Sequence, residues 1–250
     1  MPAPGGNRVV AVTGASRGIG AAIAADLARR GFIVACLTRR GAGIETADAA
    51  AVPGRYLNVR CDITDEHSLA EAFDRVASEA GALHGLVNNA GIHVEAPSHR
   101  MSSAAFNEVM GTNATALFAA CRLAFPHLVA AGGGTIVNIG SFFDRIGVKR
   151  NLAYCASKAA VGAITRCLAV EWAGKGIRVL DVAPGYIRTD LNREALDSGP
   201  LHDYLARRIP AGGAGTAEQV ARLVGALFSE DLPFLTGETI YIDGAQGIAH

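Results

Sequence analysis

The sequence predicts an α/β fold: a doubly wound parallel sheet of seven strands inside a three-layer αβα sandwich, formed as one domain over residues 1–250. Three observations predict it. Short apolar runs alternate with longer amphipathic stretches along the chain, the pattern of parallel strands joined by crossover helices. A glycine-rich turn joins the first run to the first amphipathic stretch. Polar residues recur at the ends of the apolar runs, which in a parallel sheet brings them to one rim. With half of its 250 residues hydrophobic, the chain can bury one large core.

Residues 8–13 (RVVAVT) form the first strand. Gly14, Ala15, Ser16, Arg17, Gly18, Ile19 and Gly20 follow as a GxxxGxG turn, and a helix over 21–31 closes at Gly31. Missing side chains let such a turn approach a pyrophosphate, and the helix N-terminus supplies N–H groups and a positive dipole end. Residues 32–38 form the second strand, whose end meets the adenosine ribose in dinucleotide folds. An acid there bonds the 2′-hydroxyl, but here Thr38 is followed by Arg39 and Arg40, and Arg17 converges from the turn. Guanidinium groups bind a phosphate bidentately. NADP(H) is therefore expected ahead of NAD(H).

Residues 41–50 read as a loose helix and 55–64 as a third strand ending at Cys61, Asp62 and Ile63. A helix over 65–80, capped by Thr64 or Asp65, places Leu69, Ala72, Phe73 and Val76 on one face. The fourth strand (84–91) runs into Asn88, Asn89, Ala90 and Gly91; its two asparagines either tie neighbouring loops or form a turn. Helical patterns fill 102–130 and contain Asn113. The fifth strand (134–141) delivers Ser141. A helix over 152–174 carries the small residues Ala153, Ala156, Ala160 and Ala163, and the sixth strand (176–185) stops at Pro184 and Gly185. Residues 190–215 read as irregular and form the candidate substrate lid. A helix over 216–230, capped by Thr216, and a last strand over 238–243 complete the chain.

Chemistry concentrates between Ser141 and Lys158. Tyr154 and Lys158 are at i and i+4, so on a helix they share a face. A free phenol titrates near ~10 and exchanges protons slowly at neutral pH; a nearby cation favours its ionised form. Such a phenol can protonate a carbonyl oxygen or deprotonate an alcohol. The chain has only three lysines, which makes this spacing more telling, although the pair alone equally fits plain helix packing. Cys155 reads as a packing residue, since no histidine lies close in sequence.

The formal charge of zero gives no footprint for nucleic acid or an anionic membrane surface. No apolar signal core or membrane-length run occurs, and the five cysteines include no CxxC pair; a soluble cytoplasmic protein with reduced thiols is expected. The seven histidines show no metal-ligand spacing, so no metal is expected.

Taken together, T-G-A-S-R-G-I-G (13–20), Asp62, N-N-A-G (88–91), Asn113, Ser141, Y-C-A-S-K (154–158) and P-G-Y-I-R-T (184–189) resemble the classical short-chain dehydrogenase/reductase family. The resemblance runs from Thr13 to Gly244 and implies a Rossmann-type fold. It implies that Asp62 and Ile63 lie at the adenine and that Asn89, Ala90 and Gly91 lie beside the cofactor. Ile187 and Thr189, following Pro184 and Gly185, would touch nicotinamide and pyrophosphate. Tyr154 would be the acid/base and Ser141 would orient the substrate oxygen. Lys158 would hold the nicotinamide ribose and tune Tyr154, and Asn113 would hold a water linking Lys158 to solvent. The stretch around Asn113 (MGTNATALF) and the terminal Asp243-Gly244-Ala245 depart mildly from the family pattern. A homotetramer, or a dimer, built on the helices at 113–131 and 152–174 is also implied.

The expected partner is a small carbonyl or alcohol substrate. Phe142, Phe143, Tyr186 and Leu191 suggest an apolar or aromatic-tolerant pocket, unless the phenylalanines simply pack. Asp144, Arg145, Lys149 and Arg150 read as a solvated loop ahead of a polar substrate contact. A general ketone/alcohol oxidoreductase ranks first, a 3-oxoacyl thioester (acyl carrier protein) reductase second and a sugar or polyol dehydrogenase third. The carrier-protein reading lacks a basic docking patch. A non-catalytic nucleotide-binding regulator ranks below these, because Ser141, Tyr154 and Lys158 are all present.

Overall fold

The computed structural model describes residues 6–45, 55–189 and 192–249. Its strands are β1 (Val9–Thr13), β2 (Ile33–Thr38), β3 (Arg55–Arg60), β4 (Gly85–Asn88), β5 (Gly134–Ile139), β6 (Ile177–Pro184), β7 (Ile187–Arg188), β8 (Gly215–Thr216) and β9 (Thr239–Ile242). Seven of them form one parallel sheet in the order β3-β2-β1-β4-β5-β6-β9, and β7 pairs separately with β8. The helices are α1 (Gly18–Arg29), α2 (Glu66–Ala80), α3 (Ser103–Met110), α4 (Ala116–Ala130), α5 (Leu152–Trp172), α6 (Arg193–Asp197), α7 (Pro200–Arg208) and α8 (Ala217–Ser229).

The near-continuous apolar runs of β1 and β2 follow from burial of both sheet faces. Alternate residues serve opposite layers. Val9, Ala11, Leu86, Ile136 and Val179 pack with Leu69 and Phe73 of α2, Leu128 of α4 and Val161 of α5. Val10, Val12, Val87, Val137 and Leu180 pack with Ile23 and Leu27 of α1 and with Val220 and Val224 of α8. This is the expected three-layer αβα sandwich. Asp65 caps α2 by accepting from His67 N (3.0 Å), and Thr216 forms a reciprocal capping box with Gln219 at α8.

Four local expectations need correction. Strand β3 ends at Arg60, because the Asp62 carboxylate turns the chain by accepting from Thr64 N and Oγ1 (3.0 and 2.7 Å). Residues 41–45 form no helix; Thr38 Oγ1 donates to the Ala42 carbonyl (2.8 Å) and closes a turn, while 46–50 lie outside the described residues. The helical pattern at 102–130 divides into α3, a π-turn at Gly111–Thr115 and α4. The candidate lid contains α6 and α7, whose Leu196 and Leu205 join Ile209 in a small apolar cluster beside Tyr186. Gly199, at φ 88°, and Pro200 separate two helices too short to show a helical period in sequence. Leu191 lies outside the described residues.

Candidate active site

The strand order reverses between the neighbours β1 and β4, and their carboxyl ends form a crevice. Gly14 leaves β1 at φ 64° and Gly18 enters α1 at φ 56°, a region that favours glycine. A Cβ on Gly20 would lie 2.3 Å from the Gly14 carbonyl oxygen and 2.5 Å from Asn89 Nδ2, so the helix closes on the turn at backbone distance. Asn89 Nδ2 donates to the Thr13 and Gly14 carbonyls (3.1 and 3.2 Å), and Thr13 Oγ1 accepts from the N–H groups of Asn89 and Ala90 (3.0 and 3.1 Å). The asparagine amide thus ties two loops together. No side chain caps α1, a helix start suited to a phosphate group.

Ser16 sits in this turn with its carbonyl accepting from Glu45 N (2.7 Å); Arg17 is exposed and Ile19 half-buried. Thr189 leans over the same turn, its methyl 3.6 Å from where a Gly18 Cβ would stand. Pro184 ends β6, Gly185 packs against Asp243, and Ile187 is buried. The P-G-Y-I-R-T stretch and the glycine turn therefore meet. At the far side of the turn, Thr38 is buried, Arg39 is exposed, and Arg40 is paired with Glu45. Hydrogen bonds from Thr64, with a smaller pull from Arg39, hold the Asp62 carboxyl below its ordinary range; Ile63 beside it is half-buried.

Helix α5 brings Tyr154 and Lys158 together. The Lys158 ammonium donates to the Ile139 carbonyl (2.7 Å) and stands 5.5 Å from the Tyr154 ring centroid, within cation–π range. It points toward the crevice: a Cβ on Gly91 would lie 4.0 Å from it. The π-turn carries Asn113 inward, where its Oδ1 accepts from Ile92 N (2.8 Å) and its Nδ2 donates to Ile92 O (2.9 Å) and Ser157 Oγ (3.1 Å). Ser157 in turn donates to the Tyr154 carbonyl (2.8 Å). Ser141 is buried at the end of β5; its Oγ accepts from Phe143 N (3.3 Å), which leaves the hydroxyl hydrogen for another acceptor.

Phe142 and Phe143 are both buried, and Phe143 sets its edge against the Tyr154 ring (86° between planes). Phe143 thus supports the phenol, and both phenylalanines touch Tyr186. On the other side the His93 ring lies 4.7 Å from the Tyr154 ring, with Nε2 against Asn151 Oδ1. Nothing in the sequence pattern singles out His93. Asp144 and Arg145 are no solvated loop: Tyr241 donates to Asp144 (2.7 Å), and Arg145 stacks on Tyr241 while pairing with Asp243. Lys149 and Arg150 are exposed, and Cys155 is half-buried. Among the described residues no helix is long and apolar enough to cross a membrane, and no cluster of three or more His, Cys, Asp or Glu could hold a metal.

A family model described as enoyl-(acyl carrier protein) reductase matches residues 14–245. The chain is 38% identical over 245 residues to 2-(R)-hydroxypropyl-CoM dehydrogenase of Xanthobacter autotrophicus, covering 96% of this chain and 98% of that one. A short-chain type dehydrogenase/reductase structure from Mycobacterium marinum superposes with TM-score 0.87 at 34% identity, covering 97% and 96% of the two chains. A chain from Agrobacterium tumefaciens solved with bound NADP superposes with TM-score 0.89 at 35% identity, covering 98% and 99%.

Proposed function

Because the chain belongs to the classical short-chain dehydrogenase/reductase family, whose members interconvert alcohols and ketones with nicotinamide cofactors, we propose that it does so with NADP(H) and with Tyr154 as its acid/base. One observation carries this reading: a buried ammonium, fixed by the Ile139 carbonyl, beside the Tyr154 ring and facing the crevice.

The backbone cradle of Gly14, Gly18 and Gly20 fits a pyrophosphate, since a side chain at Gly20 would collide with the turn. In this reading Ser16, Ile19, Ala90, Gly91, Ile187 and Thr189 border the cofactor, and Asp62 and Ile63 border its adenine. Lys158 holds its nicotinamide ribose. When bound, the nicotinamide supplies or accepts hydride at the substrate carbon. The protein's part is placement and proton transfer. The Ser141 hydroxyl donates to the substrate oxygen. Tyr154 gives that oxygen its proton in reduction and takes it back in oxidation. The Lys158 charge stabilises the phenolate left behind. Asn113 holds the Ile92 loop against α5.

Preference for NADP(H) is supported by the missing acid after β2 and by the exposed Arg17 and Arg39; Arg40 is engaged with Glu45. The related chain with bound NADP supports it further. A kcat/KM with NADH equal to or above that with NADPH would refute it. A ketone panel with both cofactors, including an acyl thioester, tests the substrate class; no turnover with any member would return the chain to the nucleotide-binding-regulator reading.

A homotetramer or dimer is part of the proposal. Phe118 on α4 and Leu152 and Val170 on α5 are exposed apolar side chains (Val170 at 83%) that a second copy would cover. A monomer by light scattering would count against it. A cytoplasmic location is supported by five cysteines with no disulfide between them, and recovery in a membrane or secreted fraction would overturn it.

A further inference from the structure

A buried acid lies behind the proposed catalytic pair. Asp181, in the middle of β6, has no exposed surface. Sheet register sets it beside Asn138 of β5 and Thr239 of β9, and Asn138 stands beside Asn88 of β4. These four polar side chains form a row on the α4–α5 face of the sheet. Three of them are satisfied. Asn88 donates to Asn138 and Cys121, Asn138 donates to Thr165, and Thr239 donates to Asp181 Oδ2 (3.1 Å). Among the described residues Asp181 Oδ1 has no side-chain partner, and the neighbouring Gly140 N–H donates to the Val182 carbonyl (2.8 Å).

Two glycines show where that oxygen sits. A Cβ on Gly140 would lie 2.4 Å from Asp181 Oδ1, so the carboxyl presses against the backbone at Gly140. Gly140 joins Ile139, whose carbonyl holds the Lys158 ammonium, to Ser141. A Cβ on Gly162 would lie 3.9 Å from Asp181 Oδ2, and Gly162 is one helical turn beyond Lys158 on α5. The carboxyl is therefore packed directly under the Lys158 anchor. Other groups around it are Arg166 on α5, within 3.4 Å of the same Gly162 Cβ position, Asp144 on the turn after β5, and Tyr241 on β9, which donates to Asp144. Burial pushes the Asp181 carboxyl up to about 6; Thr239, the Lys158 charge and the Gly140 N–H pull against this, and Asp144 adds to it.

Resting on the reading of Tyr154 and Lys158 above, we infer that Asp181 is a positioning residue: its buried carboxylate is the counter-charge of Lys158 and sets where on the pH axis the rate rises. Ionised, it offsets part of the ammonium's field at the phenol. Neutral, it leaves that field whole. No bond to substrate or cofactor is involved.

The test is the pH profile of kcat/KM for alcohol oxidation in the wild type and in Asp181→Asn, which keeps the acceptor for Thr239. Removing the negative charge should move the rising limb to lower pH by about half a unit or more. Infrared pH-difference spectra of the cofactor-free protein should show a carboxyl titrating near 6 that Asp181→Asn lacks. If that variant fails to fold, Thr239→Val takes its place; losing the donor should raise the infrared titration further. Superimposable rate profiles, a limb moved to higher pH, or an infrared band showing the carboxyl still protonated where the rate rises would overturn the inference. Tyr154→Phe measured alongside separates the two levels. Retained turnover there removes the acid/base reading itself, whereas an inactive Tyr154→Phe with an unmoved Asp181→Asn profile removes the counter-charge alone.

Discussion

Asp181→Asn also makes a prediction about stability that needs no cofactor. The unfolded carboxyl loses its proton near ~3.9, and the folded one near about 6, because burial disfavours its charge more than Thr239 and Lys158 favour it. Between those values the folded chain holds more protons than the unfolded chain, so stability falls as pH rises. The cost is absent below the unfolded value and complete above the folded one, where it reaches about 3 kcal/mol. Asparagine carries no such cost. The stability gap in favour of Asp181→Asn should therefore grow from about 1 kcal/mol at about pH 4.5 to about 3 kcal/mol at about pH 7.5. Urea unfolding at a series of pH values measures it directly, and at neutral pH the melting temperature should rise by about 6–12 °C. A gap that stays constant with pH, or a variant less stable than wild type at every pH, would show that this carboxyl is ionised at little cost in the fold.

Three further outcomes follow from the site. Tyr154→Phe should abolish turnover and leave NADPH affinity within about threefold, since the phenol's hydroxyl is asked to move a proton and little else; near-normal kcat would refute the acid/base role. Gly20→Ala forces a Cβ to within 2.3 Å of the Gly14 carbonyl oxygen and 2.5 Å of Asn89 Nδ2, so the turn must open. NADPH affinity measured by calorimetry should fall by about tenfold or more, and an unchanged Kd would mean the cradle lies elsewhere. Asn113→Ala strips the partners from both backbone groups of Ile92 and from Ser157, and should cost about 2–4 kcal/mol in urea unfolding. A loss below about 0.5 kcal/mol would show that the π-turn does not depend on its asparagine.

Much of the molecule is legible before any coordinates. The seven strands, the helices that flank them and the rim where Gly14, Thr38, Asn88, Ser141 and Pro184 end up all follow from alternating apolar runs and their polar terminators. That works because two-sided burial makes central strands such as β1 and β2 nearly all apolar, so a polar or glycine residue marks where such a strand stops. The i, i+4 spacing of Tyr154 and Lys158 is readable for the same kind of reason: helical geometry is local. What stays hidden depends on contacts distant in sequence. His93, in the loop after β4, meets Tyr154 of α5 only through the tertiary fold, with α3, α4 and β5 between them in sequence. The π-turn at Asn113 inserts between α3 and α4 without breaking the apolar pattern. The helices of the lid are five and nine residues long, too brief for a period to emerge.

Asp181 shows the boundary between the two kinds of information. A lone aspartate inside IRVLDVAP passes unmarked in the apolar pattern, and only the structure shows it buried, where a charged residue is costly. By itself it says only that something must compensate. Register supplies the compensation: it sets Asn138 and Thr239 on either side, and the helix crossing above brings Lys158 over the same spot. The compensation is incomplete: among the described residues one oxygen lacks a side-chain partner. A polar row that served packing alone would be expected to satisfy its last member, as it satisfies Asn88 and Asn138. An acid lacking a second side-chain partner, beneath the only buried lysine among the described residues, is better explained by the charge it places there than by the fold it weakens.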